Sequence, residues 1–253
     1  MAKIRLYTDG GAELRVSGGS AAIVENEDTG ARVHLASFIG GATNNEAEIF
    51  ASLLGYAFLQ VCDESFSDVH WVCDSEYVLK SATGYIINWQ KNGWKTAGKK
   101  PVKNQGLWKT YLELSKGFKI TPEHVMGHTG HPENELCDQA ATWVKQLEGT
   151  LNGEGEVLES PIEDISWIVV DGSEILERLR NDEPTEELKL ELCRILKDNS
   201  WTSFSSLGGA IKPNALRPVI NHLNAALQAA NKSSDERAGE LAEELSELLN
   251  KYQ

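Results

Sequence analysis

The chain has 253 residues, 41% hydrophobic and 25% charged, with a net charge of −14, a composition suited to one large or two smaller globular domains. It contains no run of about 18 apolar residues, so no membrane span is expected, and Met1-Ala2-Lys3-Ile4 leads straight into a strand-like segment, so no secretory leader is expected. Cys62, Cys73, Cys137 and Cys193 form no CxxC pair, which argues against zinc and for reduced thiols in a cytoplasmic compartment.

In chain order, residues 4–7, 21–25 and 32–38 read as strands, the last two joined by a turn-rich loop at residues 26–30. Asn44 or Asn45 is the expected cap of a helix reaching Val61, with Ile49, Leu53, Leu54, Ala57 and Phe58 at helical spacing. A fourth strand is predicted at 68–73, helices at 75–87 and 107–115, a fifth strand at 119–125, and a closing helix at 132–146. The order β-β-β-α-β-α-α-β-α implies a five-stranded mixed sheet flanked by helices, an α/β fold. Residues 149–160, glycine-rich and polar, read as a linker. Residues 161–253 read as a smaller, mainly helical domain: a short apolar run at 165–170, then helices near 173–180, 185–198, 203–207, 213–230 and 234–252.

Four acids stand in separate contexts. Asp9 closes a strand before Gly10-Gly11, Glu48 lies one helical turn after Thr43-Asn44-Asn45, Asp74 follows the fourth strand, and Asp138 sits in the closing helix. Carboxylates converging from strand ends and helices need cations, and hard oxygen donors suit Mg²⁺ or Mn²⁺. Alternatively they are solvated caps and strand ends.

Charge is unevenly spread. Residues 1–148 carry 14 Lys/Arg against 18 Asp/Glu, residues 149–253 carry 10 against 20. Within residues 91–119 there are eight lysines and one acid, interleaved with Trp94 and Trp108, a pattern that suits a phosphate backbone.

Five segments in order carry a resemblance: Tyr7-Thr8-Asp9-Gly10-Gly11, Thr43-Asn44-Asn45-Glu46-Ala47-Glu48, Cys73-Asp74-Ser75-Glu76-Tyr77-Val78, residues 89–104, and the run from Gly127-His128 to Cys137-Asp138. Residues 1–148 resemble type 1 ribonuclease H. The resemblance implies a ribonuclease H-like fold and an endonuclease that cuts the RNA strand of RNA/DNA hybrids with two Mg²⁺ ions, Mn²⁺ substituting, leaving 5′-phosphates. It makes Asp9, Glu48, Asp74 and Asp138 the metal carboxylates and His128 an aid to proton transfer and product release. Asn44 and Asn45 correspond to readers of the RNA 2′-hydroxyl, and Thr43 and Asn104 to a pocket for a DNA phosphate. Tyr77 and Tyr85 correspond to DNA-channel aromatics. Trp94, Lys95, Thr96, Lys99 and Lys100 correspond to part of the basic protrusion with which some type 1 enzymes bind hybrid.

Glu46, two residues from Glu48, is expected at the surface or a pocket rim, and His131 is expected to cap or pack on the following helix. Three departures from the family pattern imply weaker substrate grip: an altered loop over residues 10–19, Gly41 where relatives often carry a phosphate-pocket arginine, and Ala97 in place of a hydroxyl residue. Residues 196–208 look faintly like a winged-helix module, but the acidity of this part favours a helical bundle that docks a protein partner, self-associates or packs on the catalytic domain. Competing readings of the whole chain are a related polynucleotidyl transferase, such as a resolvase, and a hybrid-binding module without catalysis.

Overall fold

The computed structural model describes residues 2–204, apart from residues 65, 152–153, 163–164 and 182–184. The strands are β1 (Ala2–Glu13), β2 (Ser17–Asn26), β3 (Ala31–Gly40), β4 (Phe66–Cys73), β5 (Lys119–His124), β6 (Glu156–Glu159) and β7 (Ser166–Asp171). The helices are α1 (Asn44–Val61), α2 (Glu76–Lys80), α3 (Ile86–Lys91), α4 (Gln105–Leu114), α5 (Pro132–Val144), α6 (Ser173–Arg180) and α7 (Thr185–Asp198). A π-helical turn, Ser81–Tyr85, joins α2 to α3, so the single helix expected over 75–87 is a longer, distorted one.

The strands form one mixed sheet in the order β5-β4-β1-β2-β3-β7-β6. β1, β2 and β3 make an antiparallel meander, while β4 runs parallel to β1 and β5 parallel to β4. The expected five strands are therefore present, with two more beyond β3. β7 pairs parallel to β3 over Leu35↔Ile168 to Phe38↔Asp171, and β6 pairs antiparallel to β7. The span expected as linker thus contains a strand. Within residues 161–253, expected as a separate helical domain, β7 instead extends the sheet, and α6 and α7 share its core.

Side-chain alternation explains how. Along β7, Ile168 and Val170 face the side covered by α1, whereas Trp167 and Val169 face the side covered by α5. α1 is apolar almost all round because it lies between the sheet and a second layer of α4 and α7. Leu188, Leu192, Ile195 and Leu196 of α7 enter the same cluster as Leu53, Ala57 and Phe58. Phe204 meets Phe58 and Phe66 edge-on, and Thr202 is hydrogen-bonded to Asp63. The helices expected at 213–230 and 234–252, and residues 205–208 of the winged-helix look, lie outside the described residues.

Local signals also refine α1 and the hairpin. Thr43, not Asn44 or Asn45, caps α1: its hydroxyl accepts from the Glu46 N–H while Glu46 returns a bond to the Thr43 N–H. This capping box is readable in Thr43-x-x-Glu46. The loop expected after Asp9 is mostly strand, since β1 continues to Glu13 and only residues 14–16 turn into β2.

Candidate active site

The sheet and two helices bring the four acids to one place. Thr8 is in register with Cys73 on the parallel pair β1–β4, so Asp9, within β1, and Asp74, just past β4, stand side by side where that pairing ends. Helix α1 lies against β1 so closely that a Cβ on Gly10 would overlap the backbone of Ala47 and Glu48; only glycine permits that approach, and it sets Glu48 beside Asp9. On the other side of the sheet α5 packs on β1 and β2, with the Cys137 thiol 3.8 Å from the Tyr7 carbonyl, which carries Asp138 toward the same strand end.

The electrostatics register this convergence. Burial pushes the Asp9 carboxyl up to about 8, and the charges of Asp74, Asp138 and Glu48 push the same way, against a 2.6 Å hydrogen bond from the Gly10 N–H. Burial also raises Glu48, as does Asp74, against a 2.6 Å bond donated by the Ser75 hydroxyl. A pure carboxylate set that holds a proton on its most buried member has the chemistry of a hard divalent cation site. Among the described residues, no three or more His, Cys, Asp or Glu side chains are spaced so that they could hold a metal ion as they stand.

Two residues that sequence reasoning passes over support these acids. Ser75 caps α2 and orients Glu48. Asn134, buried in the first turn of α5, donates to Asp74 Oδ2 at 3.3 Å. The Ser75 role is hinted at by its place as a helix-capping residue after Asp74; nothing local marks Asn134, whose partner is 60 residues away.

His128 stands in an exposed left-handed turn (φ 55°) with Nδ1 3.8 Å from Asp138 Oδ2, the one predicted site histidine at the rim of the acids. His131 precedes α5 without a side-chain cap bond and packs its ring 5.6 Å from that of Tyr7.

Next to the acids, a cleft of about 640 Å³ is lined by Thr43, Asn44, Asn45, Asn104, Lys103 and Arg15, among others. Asn44 and Asn45 are exposed; the Asn44 side-chain oxygen accepts the Ala12 N–H at 2.7 Å. The Thr43 hydroxyl is committed to Glu46. Asn104 adopts a left-handed conformation (φ 56°) at the start of α4. Glu46 lines this cleft but is not a surface residue: it is 4% exposed and bound to Arg180 of α6, a partner invisible in local sequence.

The basic segment folds back on itself through a Lys95↔Pro101 bridge. Lys95, Thr96, Lys99 and Lys100 are exposed, and Trp94 is half-buried with the Lys109 ammonium 5.7 Å from its ring centre. Trp89 links this segment to the core, tilted against Trp108 on one side and Tyr85 on the other. Tyr85 is 51% exposed, whereas Tyr77 is half-buried against Trp108.

The RNase H family model matches residues 1–146. The chain belongs to the RNase H family. It is 38% identical over 143 residues to ribonuclease H of Oleidesulfovibrio alaskensis, a match covering 56% of this chain and 89% of that protein. It is 38% identical over 142 residues to ribonuclease HI of Brucella melitensis, covering 56% and 88%. Its fold is similar to that of LC9-RNase H1, a type 1 RNase H with the type 2 active-site motif, with a TM-score of 0.53 and 18% identity over 75% of this chain and 85% of that one. RNase H enzymes are metal-dependent endoribonucleases as a family, and the four converging carboxylates agree with a divalent cation requirement. No helix among the described residues is long and apolar enough to cross a membrane.

Proposed function

We propose that this protein hydrolyses the RNA strand of RNA/DNA hybrids, with Asp9, Glu48, Asp74 and Asp138 holding two Mg²⁺ ions and His128 moving protons at the rim. The observation that carries this reading is the convergence on Asp9 of Asp74, Asp138 and Glu48 from three other elements, whose charges add to burial in pushing its carboxyl up to about 8. When bound, the cations supply charge neutralisation and water activation for attack on phosphorus. The chain's own groups do the rest. Gly10 and Ser75 orient Asp9 and Glu48, and Asn134 steadies Asp74. The His128 imidazole, exposed on its turn, is placed to exchange a proton with solvent near Asp138. Asn44 and Asn45 face the cleft where a 2′-hydroxyl would distinguish RNA from DNA.

The test is incubation with Mg²⁺ and end-labelled hybrid, beside RNA duplex, DNA duplex and single-stranded RNA. Cleavage confined to the RNA strand of the hybrid is expected; binding without any cleavage would instead make the chain a hybrid-binding module. His128→Ala should lower kcat by about 10²-fold with KM nearly unchanged, since proton transfer and not hybrid grip is lost. Steady-state kinetics at saturating hybrid would check this.

Hybrid binding should be steeply salt-dependent. If Lys95, Lys99, Lys100 and Lys103 make three or four phosphate contacts, affinity should fall roughly 40- to 150-fold between about 50 and 200 mM salt. A flat salt profile by filter binding or anisotropy would remove the protrusion from the substrate interface.

A further inference from the structure

We propose that Arg180 is a positioning residue for hybrid binding, acting through Glu46 on residues 43–45. The proposal rests on the reading that those residues grip the hybrid. Arg180 ends α6, in the part of the chain beyond the family match. Its guanidinium meets Glu46 side-on, Nε to Oε1 at 2.9 Å and Nη2 to Oε2 at 2.8 Å, and Nη2 also donates to the Gly41 carbonyl at 2.8 Å. The same Glu46 oxygen accepts from the Thr43 N–H at 2.8 Å and the Thr43 hydroxyl at 2.9 Å. One carboxylate therefore ties the guanidinium to the turn that carries Thr43, Asn44 and Asn45. Burial pushes the Glu46 carboxyl up, but Arg180 and the two Thr43 bonds outweigh it and hold it below its ordinary value.

The other end of α6 is attached to the same segment. The Gly172 N–H donates to the Phe38 carbonyl and the Ser173 hydroxyl accepts from the Gly40 N–H, both within 2.9 Å. Helix α6 thus spans residues 38–46 like a splint. It also sits on α4: a Cβ on Gly106 would overlap the Leu179 carbonyl, so α4 starts close against α6 and Asn104 shares the 280 Å³ cleft walled by Glu46 and Arg180. A bidentate guanidinium–carboxylate pair fixes orientation as well as distance. Holding residues 43–45 in place before the hybrid arrives removes an ordering penalty from binding without touching the acids at Asp9. The consequence belongs in KM, not kcat.

The experiment is steady-state cleavage of an RNA/DNA hybrid by the full chain. Arg180→Ala should raise KM about tenfold with kcat within about twofold, the loss expected when one rotamer-rich segment must be ordered on binding. Arg180→Lys, which keeps charge but loses the fork, should fall between Ala and wild type. Glu46→Gln should reproduce the Ala phenotype, and the double variant should be no worse than either single one, the mark of one shared interaction. Unchanged KM with a lowered Tm would show a purely structural tie and overturn the proposal, as would parallel loss of kcat. If Arg180→Ala does not fold, folded Arg180→Lys with wild-type KM overturns it. A wild-type chain that cuts no hybrid sinks the functional reading itself, whereas active wild type with silent variants sinks only this inference.

Discussion

Asp9→Asn should abolish hybrid cleavage, by at least roughly 10³-fold or about 4 kcal/mol of transition-state stabilisation, while leaving the protein folded. Asp9 is the most enclosed of the four acids and the one on which the other three act. Asparagine keeps its size and can still accept the Gly10 N–H, but it cannot share a divalent charge. Activity measured with saturating Mg²⁺ checks the loss; activity within tenfold of wild type would remove Asp9 from the reacting centre.

The same substitution should act on stability in the opposite direction. Asp9 keeps its proton to about pH 8 in the fold but releases it near its ordinary value of 3.8 when unfolded. Between those values the folded state binds more protons, so wild-type stability falls as pH rises through this window. The amide of the variant does not titrate. In EDTA, the Tm of Asp9→Asn should therefore overtake that of wild type increasingly from pH 5 to 8, and Mg²⁺ should close the gap by binding the ionised wild-type carboxylate. Parallel Tm curves in EDTA would contradict the crowding of charge around Asp9.

Cutting the chain after residue 148 should remove cooperative folding, even though that boundary ends the segment resembling ribonuclease H. It would strip β7 from β3, uncovering the backbone edge over Leu35–Phe38, and strip α7 from the Leu53–Ala57–Phe58 face of α1. A single large-to-small change within the added layer is a milder version. Trp167→Ala, at a fully buried ring tilted against His34, should cost about 3–5 kcal/mol, against a typical total of about 5–15 kcal/mol. Urea unfolding would measure both. A fragment of residues 1–148 with wild-type midpoint would show the added strands to be an ornament.

Much of the site is legible in the sequence because short motifs encode it locally. Glu48 one turn into a helix and Asp74 after an apolar strand follow from period and punctuation, whereas Asp9, expected to close its strand before the paired glycines, lies within β1, which runs on to Glu13. The bounds of α6 and α7 are also readable, from the apolar spacing of Ile175, Leu176 and Leu179 and of Leu188, Leu192 and Ile195. Strand β6 is not: Glu156-Val157-Leu158-Glu159 is too short and too close to glycines to announce itself, and it exists because β7 offers it an edge. Glu46, expected at the surface or a pocket rim, lines the cleft but is buried, because its partner Arg180 lies 134 residues on, beyond any local reading.

By itself, then, the amino-acid order determined the family resemblance, and through it the expectation that these four acids hold cations, since the motifs that carry it are contiguous in sequence. Only the tertiary structure decided that Ser75 and Asn134 serve those acids, that β6 and β7 extend the sheet, and that Arg180 closes over the turn at Gly41. Those facts depend on long-range pairing, and pairing is set by which buried faces and edges find one another, a choice no local window of sequence contains.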